Sequence, residues 1–227
     1  MNKKKLTKKE LDFFAVSSKS VKVADVEFTN QGQANAERSM KVKNFGVTPA
    51  TPATGEGETA TAEIVPDDDL MVAEFVRQSQ EQNGKQVKLR FKHALSKVKF
   101  NFTTNAPETD PVTVTKLVVN GLTTKGTLIV TETADAGLSG TETDATRKQV
   151  SLEWTELSST GNFVVEKSAD LTTTATTYAE WLVIPQTIYS AGDAQADPVI
   201  PAVNQTVEVS FTIGTGAKAK NFTRVFP

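Results

Sequence analysis

The apolar residues of this chain recur mainly at every second position, which is the side-chain period of a β-strand. The cleanest case is TVEVSFTIG, where Val207, Val209, Phe211 and Ile213 share one face. VSLEWTEL alternates through Val150, Leu152 and Trp154, and VTVTKLVVNGL opens with Val112 and Val114. LDFFAVSS from Leu11, MKVKNFGV from Met40, LMVAEFVRQ from Leu70, TKGTLIVTET, GNFVVEKSADL and the WLVI core of TTYAEWLVIPQTIY read as further strands, the last stopped by Pro185. VKVADVEF alternates with a change of phase between Val23 and Val26, and KNFTRVFP reads as a short apolar stub.

Turn chemistry separates these runs. Thr48 to Glu58 is rich in Pro, Gly and Thr, and ADAGLSGTETDATRKQ is a long Gly- and Thr-rich loop. A further loop holds Pro198 and Pro201. Asn83-Gly84 predicts a tight turn joining LMVAEFV to VKLRFKHAL as a hairpin, and Asn120-Gly121 predicts the next one. Strands at this spacing predict an all-β fold of two β-sandwich domains. The predicted domains are 11–104 and 105–227, behind a basic mobile arm at 1–10 that carries five lysines. Only ELDFFAV and HALSK have any helical composition, and both are too short or too alternating to be read as helices.

One stretch contradicts its own period. In VKLRFKHALSKVKFNF, Val87, Leu89, Phe91 and Leu95 are apolar at odd positions, whereas Val98, Phe100 and Phe102 are apolar at even ones. A one-residue slip sends a strand's apolar set to the opposite face. The reading is a bulge or bend at His93, Ala94, Leu95, Ser96 and Lys97, a structural seam. One half is expected to pack into a first core and the other to serve another sheet or domain.

Composition supports a packed β protein. Of 227 residues, 32 are Thr and 25 are Val, both β-branched and suited to a pleated surface. A net charge of −2 offers no electrostatic footprint for nucleic acid. The absence of cysteine excludes disulfides, thiolate metal sites and cysteine nucleophiles. No run approaches the ~18 apolar residues that span a bilayer. The start MNKKKLTKKELDFFAVSS has the basic front of a signal peptide, but Lys8, Lys9, Glu10 and Asp12 interrupt any apolar region, so no export signal or lipobox is expected in this chain.

Candidate chemistry is sparse. The single histidine, His93, would need a serine nucleophile and an orienting carboxylate to act as a base. Ser96, three residues on, points to the other face of a strand, and no G-x-S-x-G is present. A histidine satisfied by a backbone or side-chain partner beside an irregular strand fits better. Asp67, Asp68 and Asp69 lack calcium-loop spacing and read as a structural turn. Glu56 and Glu58 read as a solvated face, and Trp154 and Trp181 as core. Three N-x-T sequons, at Asn101, Asn204 and Asn221, are short enough to arise by chance. No catalytic, cofactor or metal residue is assigned and no enzyme is expected. A structural or adhesive surface subunit and a soluble binding module both stay open on the residues alone, with an enzyme of paired-carboxylate chemistry a distant third.

Three blocks narrow this. DLMVAEF, then VKLRFKHALSKVKFNF, then YAEWLVIPQTI, with LDFFAV upstream, together resemble the fimbrillin-like proteins of Bacteroidetes, the subunits of type V pili. The resemblance implies two tandem transthyretin-like or Ig-like sandwiches and export to the outer membrane and cell surface as a lipoprotein. It implies assembly into pili with like subunits by β-strand addition after proteolytic removal of a strand, and contact with host or bacterial surface ligands. Family members carry a lipidated leader and a further strand region before the Phe-Phe-Ala strand, and they often continue beyond the alternating strand at Val207. This chain departs from the pattern at both ends, which implies an incomplete N-terminal sandwich with open edges. The alternative function is a stand-alone carbohydrate- or protein-binding sandwich.

Overall fold

The computed structural model describes residues 10–29, 38–48, 68–79, 86–106, 109–133, 147–186, 189–190 and 203–226. The basic arm at 1–9, most of the loop from Thr48, Asp67, the Asn83-Gly84 turn, most of the loop after Thr133 and the Pro198/Pro201 loop lie outside the described residues.

Within them the protein is all-β, with no α-helix and two short 3₁₀ turns, at Val23–Asp25 and Gly216–Lys218. The strands are β1 (Glu10–Phe13), β2 (Val16–Ser17), β3 (Val26–Thr29), β4 (Ser39–Gly46), β5 (Met71–Ala73) and β6 (Phe75–Ser79). They continue as β7 (Phe91–His93), β8 (Ser96–Phe102), β9 (Val112–Glu132), β10 (Arg147–Lys148) and β11 (Val150–Asp170). Then come β12 (Thr176–Val183), β13 (Tyr189–Ser190), β14 (Val203–Asn204), β15 (Thr206–Ile213) and β16 (Lys220–Phe226).

The chain divides into two compact units. The first takes the described residues up to Phe45, those of 68–95, and those of 126–156. One of its layers runs β3–β4–β9–β11, and the other is built from β1–β6–β10 and β2–β5–β7. β5 and β7 pair antiparallel, Met71 with His93 and Ala73 with Phe91, whereas β6, nearer in sequence to Asn83-Gly84, pairs with β1 and β10. Met40, Val42, Phe75, Val72 and Leu128 are fully buried between the layers.

The second unit takes 46–48, 96–125 and the described residues from Leu157 onward. Its layers are β16–β15–β9–β11 and β12–β8. Phe163 and Trp181 meet at 5.5 Å, and Trp181 meets Phe100 at 5.4 Å. The β8–β12 register skips one residue between Thr177 and Ala179. That bulge re-aims Tyr178 inward, where its hydroxyl donates to Lys167 O at 2.5 Å.

Four sequence expectations change. Val21 to Phe28 joins a strand only from Val26, because Asp25 accepts a hydrogen bond from Lys22 N at 3.0 Å and its own N–H reaches Lys22 O. A side chain bonded to its own local backbone competes with a strand ladder there. Asn120-Gly121 is no turn: β9 continues through it, with Gly121 at a φ of 76° that favours glycine. VSLEWTEL and GNFVVEKSADL form one strand, β11, bent where Glu156 and Ser159 take positive φ. The stub KNFTRVF is a complete strand paired along its length with β15, Val207 to Phe226 through Ile213 to Lys220.

Candidate functional site

The phase change in VKLRFKHALSKVKFNF falls where the chain leaves one unit for the other: His93, Ala94 and Leu95 belong to the first, Ser96 and Lys97 to the second. Strand pairing stops at Ala94 and Leu95 and resumes at Ser96 with a different sheet, β8 against β12. Phe91 is 44% exposed, whereas Ala94 and Leu95 are buried. The break is held by specific bonds. Ala94 N–H donates to Leu70 O at 2.8 Å, and Trp154 Nε1–H donates to Ala94 O at 2.9 Å. His93 Nδ1 lies 2.6 Å from Asp69 Oδ2. An ionised carboxylate only accepts, so the imidazole donates there. On the other side Lys97 and Lys99 both pair with Glu180, which sits below the ordinary carboxylate range because their hydrogen bonds favour its charged form.

Asp68, next to Asp69, accepts from Ser18 Oγ (2.6 Å), from Lys19 N (2.6 Å), from Ser20 N (2.8 Å) and from the Ser20 hydroxyl. Both aspartates thus serve hydrogen bonds that tie β-structure together. Among the described residues no group of three potential ligands could hold a metal ion.

The Ile-Pro-Gln block has an equally concrete use. Past the Pro185 stop, Gln186 Oε1 accepts from Thr123 N at 2.7 Å, while Nε2 donates to Thr123 O and to Ile184 O, each at 3.1 Å. One side chain therefore supplies both bonds that a neighbouring strand would make to Thr123. Around it Asn162 Oδ1 accepts from Gly121 N and Gln205 Nε2 donates to Gly121 O. β9 pairs with β15 as far as Asn120, and Val47 N–H binds Thr124 O, so these amides cover the intervening backbone.

Edges of sheets are where such a fold can meet another chain. β11 is an edge whose positive-φ residues break its regularity. β16 is the opposite case. All seven of its residues are exposed, its ladder with β15 has no bulge, and apolar side chains stand on both faces. Phe222, Val225 and Phe226 are 40%, 58% and 52% exposed.

Sequence reading missed the charged cluster behind β1. Arg38 is almost fully buried; its Nε and NH2 bind Glu132 at 2.7 and 2.9 Å, and its NH1 binds Asp12 at 2.6 Å. Arg77, directly opposite Asp12 in the β1–β6 ladder, holds the same carboxylate at 2.8 and 3.1 Å. The signal was there as an acid inside an apolar strand, LDFF, and an arginine inside another, FVRQ.

What these features define is a layered β protein without a catalytic cluster among its described residues, whose reactive features are sheet edges and backbone-capping side chains. The sequence model of the fimbrillin-like family matches residues 5–224, nearly the whole chain, and the chain belongs to that family. A search of curated proteins and a search of solved structures each found no match. Membership implies a structural, non-enzymatic pilus subunit of the cell surface that assembles with other subunits. No helix among the described residues is long and apolar enough to cross a membrane.

Proposed function

We propose that this chain is an adhesive pilus subunit of the outer membrane surface, built as tandem transthyretin-like sandwiches and joined to its neighbours by donor-strand complementation. The observation that carries this reading is β16. A strand exposed along its whole length contributes little apolar burial to its own core, and what holds it to β15 is chiefly a main-chain ladder. Inserted into a neighbour's sheet, it would exchange one set of main-chain hydrogen bonds for another. It would also bury the exposed part of Phe222, Val225 and Phe226, roughly half of the 1.5–3 kcal/mol that each contributes when taken from full exposure to full burial. The exposure that is a liability in the monomer becomes the driving force of assembly. The His93–Lys97 break serves the same design as a seam, letting one run of chain supply strands to two separate sheets.

The absence of native cysteine permits a direct test. Ser210 and Thr223 are cross-strand partners with hydroxyls 3.0 Å apart. A Ser210→Cys/Thr223→Cys chain, oxidised, fastens β16 to β15. Oligomers measured by light scattering and electron microscopy should vanish on oxidation and return on reduction. A wild-type chain that stays monomeric at every concentration, or a locked chain that assembles as well as the reduced one, overturns the reading.

A further inference from the structure

Asn120-Gly121 forms no turn, but the pair carries chemistry of its own. The backbone nitrogen that follows an asparagine is a nucleophile, and the asparagine carboxamide is its electrophile. Glycine brings no Cβ to obstruct the approach. The Gly121 nitrogen gives up its proton and bonds to Asn120 Cγ. The Cγ–Nδ2 bond breaks and ammonia leaves with that proton, closing a succinimide ring. Water then opens the ring at either carbonyl, which gives aspartate or isoaspartate at position 120. No oxidant, reductant or further reactant takes part. Both products add a negative charge, and isoaspartate also inserts its β-carbon into the main chain of β9.

Hydrogen bonds oppose ring closure from both neighbouring strands, all within the second unit. Gly121 N–H donates to Asn162 Oδ1 on β11 at 3.2 Å, which keeps the nucleophile in its protonated form. Asn120 Nδ2 donates to Thr206 Oγ1 on β15 at 3.1 Å, which holds the carboxamide toward β15. The ladder pairs Asn120 with Thr206 and fixes the Asn120 backbone as extended, where ring closure needs it to rotate. Asn120 and Gly121 are only half-buried and Asn162 is exposed, so water for the hydrolysis is at hand. Hydrogen bonding, not exclusion of water, keeps the pair intact. We propose that Asn120-Gly121 is a latent self-modification site with the Asn162 carboxamide as its guard. It is closed while β9, β11 and β15 are joined, and it converts irreversibly when they part. A chain that has opened there keeps a permanent mark, because an isoaspartate at position 120 sets the two halves of β9 out of step. This inference does not depend on strands passing between subunits.

The test follows the full-length chain by peptide mapping with mass spectrometry at mildly alkaline pH, in buffer and in urea. The sequence holds a second such pair, Asn83-Gly84, whose conversion in urea gives the rate of an unguarded site. In urea Asn120 should convert at a similar rate. In buffer it should convert at least about tenfold more slowly, since reaction there waits on local opening. Asn162→Ala should speed conversion of the folded chain about fivefold, the factor that one net hydrogen bond carries. Asn162→Asp keeps an acceptor for Gly121 N–H and should convert no faster than wild type. Asp68→Asn, which weakens the first unit instead, should leave the rate at Asn120 unchanged. Asn120 converting as fast in buffer as in urea, or equally fast in wild type and Asn162→Ala, overturns the proposal. An Asn162→Asp chain as fast as Asn162→Ala overturns it as well. So does an Asp68→Asn chain that matches Asn162→Ala, because the protection would then be global and not a local guard.

Discussion

Gln186 offers the sharpest measurement of how this fold replaces a missing strand. Replacing it with Leu removes three hydrogen bonds, from Thr123 N at 2.7 Å and to Thr123 O and Ile184 O at 3.1 Å, while keeping most of the side-chain volume. A typical hydrogen bond contributes about 1 kcal/mol net. Gln186 and Thr123 are half-buried, so water recovers part of each loss, and the cost should be about 2 kcal/mol. For a chain of this size that lowers Tm by roughly 4–8 °C. Gln186→Glu separates the components. The remaining oxygen still accepts from Thr123 N–H, but an ionised carboxylate cannot donate to the two carbonyls, which it repels. At neutral pH this variant should lose at least as much as the Leu variant loses through those two bonds.

The pH dependence of that variant has a definite sign. Facing two carbonyls, the introduced carboxyl is stabilised in its neutral form, so its folded pKa is raised above the unfolded value of about 4.3. The recovered donor is then present below that pH and lost as pH rises through the folded pKa. Each unit holds one tryptophan, Trp154 in the first and Trp181 in the second, so fluorescence of a Trp154→Phe background follows the second unit. Hydrogen exchange at the Thr123 amide reads the same bond locally. Unchanged Thr123 protection in a folded Gln186→Leu chain, or a Gln186→Glu chain as stable as wild type at pH 7, would refute the strand-replacement argument.

Two further outcomes follow from the same kind of reasoning. Burial works against ionisation of Asp68, but hydrogen bonds from Ser18, Ser20 and the amides of Lys19 and Ser20 outweigh it and hold its pKa below the ordinary 3.8. The stability it contributes is present above that value and lost as pH falls through the lower folded one; Asp68→Asn should cost about 1 kcal/mol at pH 7 and remove this acid dependence, as urea titrations at pH 7 and pH 3 will show. Trp154→Phe deletes the donor to Ala94 O and leaves a buried carbonyl unpaired, so unfolding of the first unit should weaken by about 1–3 kcal/mol; a change under ~0.3 kcal/mol would mean the indole does not hold the break.

Much of the architecture was legible because a period of two survives any tertiary context that buries one face. The strands at Met40, Val112, Val150, Thr176 and Thr206 stand where the pattern placed them, whereas the runs from Leu11 and Leu70 each split into two strands, β1 with β2 and β5 with β6, whose halves pair in different sheets. The failures share a cause. Asn120-Gly121 has turn chemistry, but Asn162, Gln205 and Gln186 bind Gly121 and Thr123 on the extended chain, and such long-range bonds have no local pattern. KNFTRVF reads as a stub because its apolar residues, Phe222, Val225 and Phe226, do not alternate. Its ladder with β15 depends on backbone, which every sequence supplies.

The candidate sites were less legible for a related reason. The break at Ala94 showed itself as a phase slip, since a slip changes which residues are apolar. The charges at Asp12, Arg38, Arg77 and Glu132 are spread over 120 residues and become a cluster only when β1, β6 and β9 are stacked. A period of two puts Asp12 on the same face as Phe14, where an acid looks like an error in the pattern. Such an error is informative. An inward acid is tolerable only where a buried cation waits for it, so the residue that spoils a strand's alternation marks the place where that strand is recognised rather than merely buried.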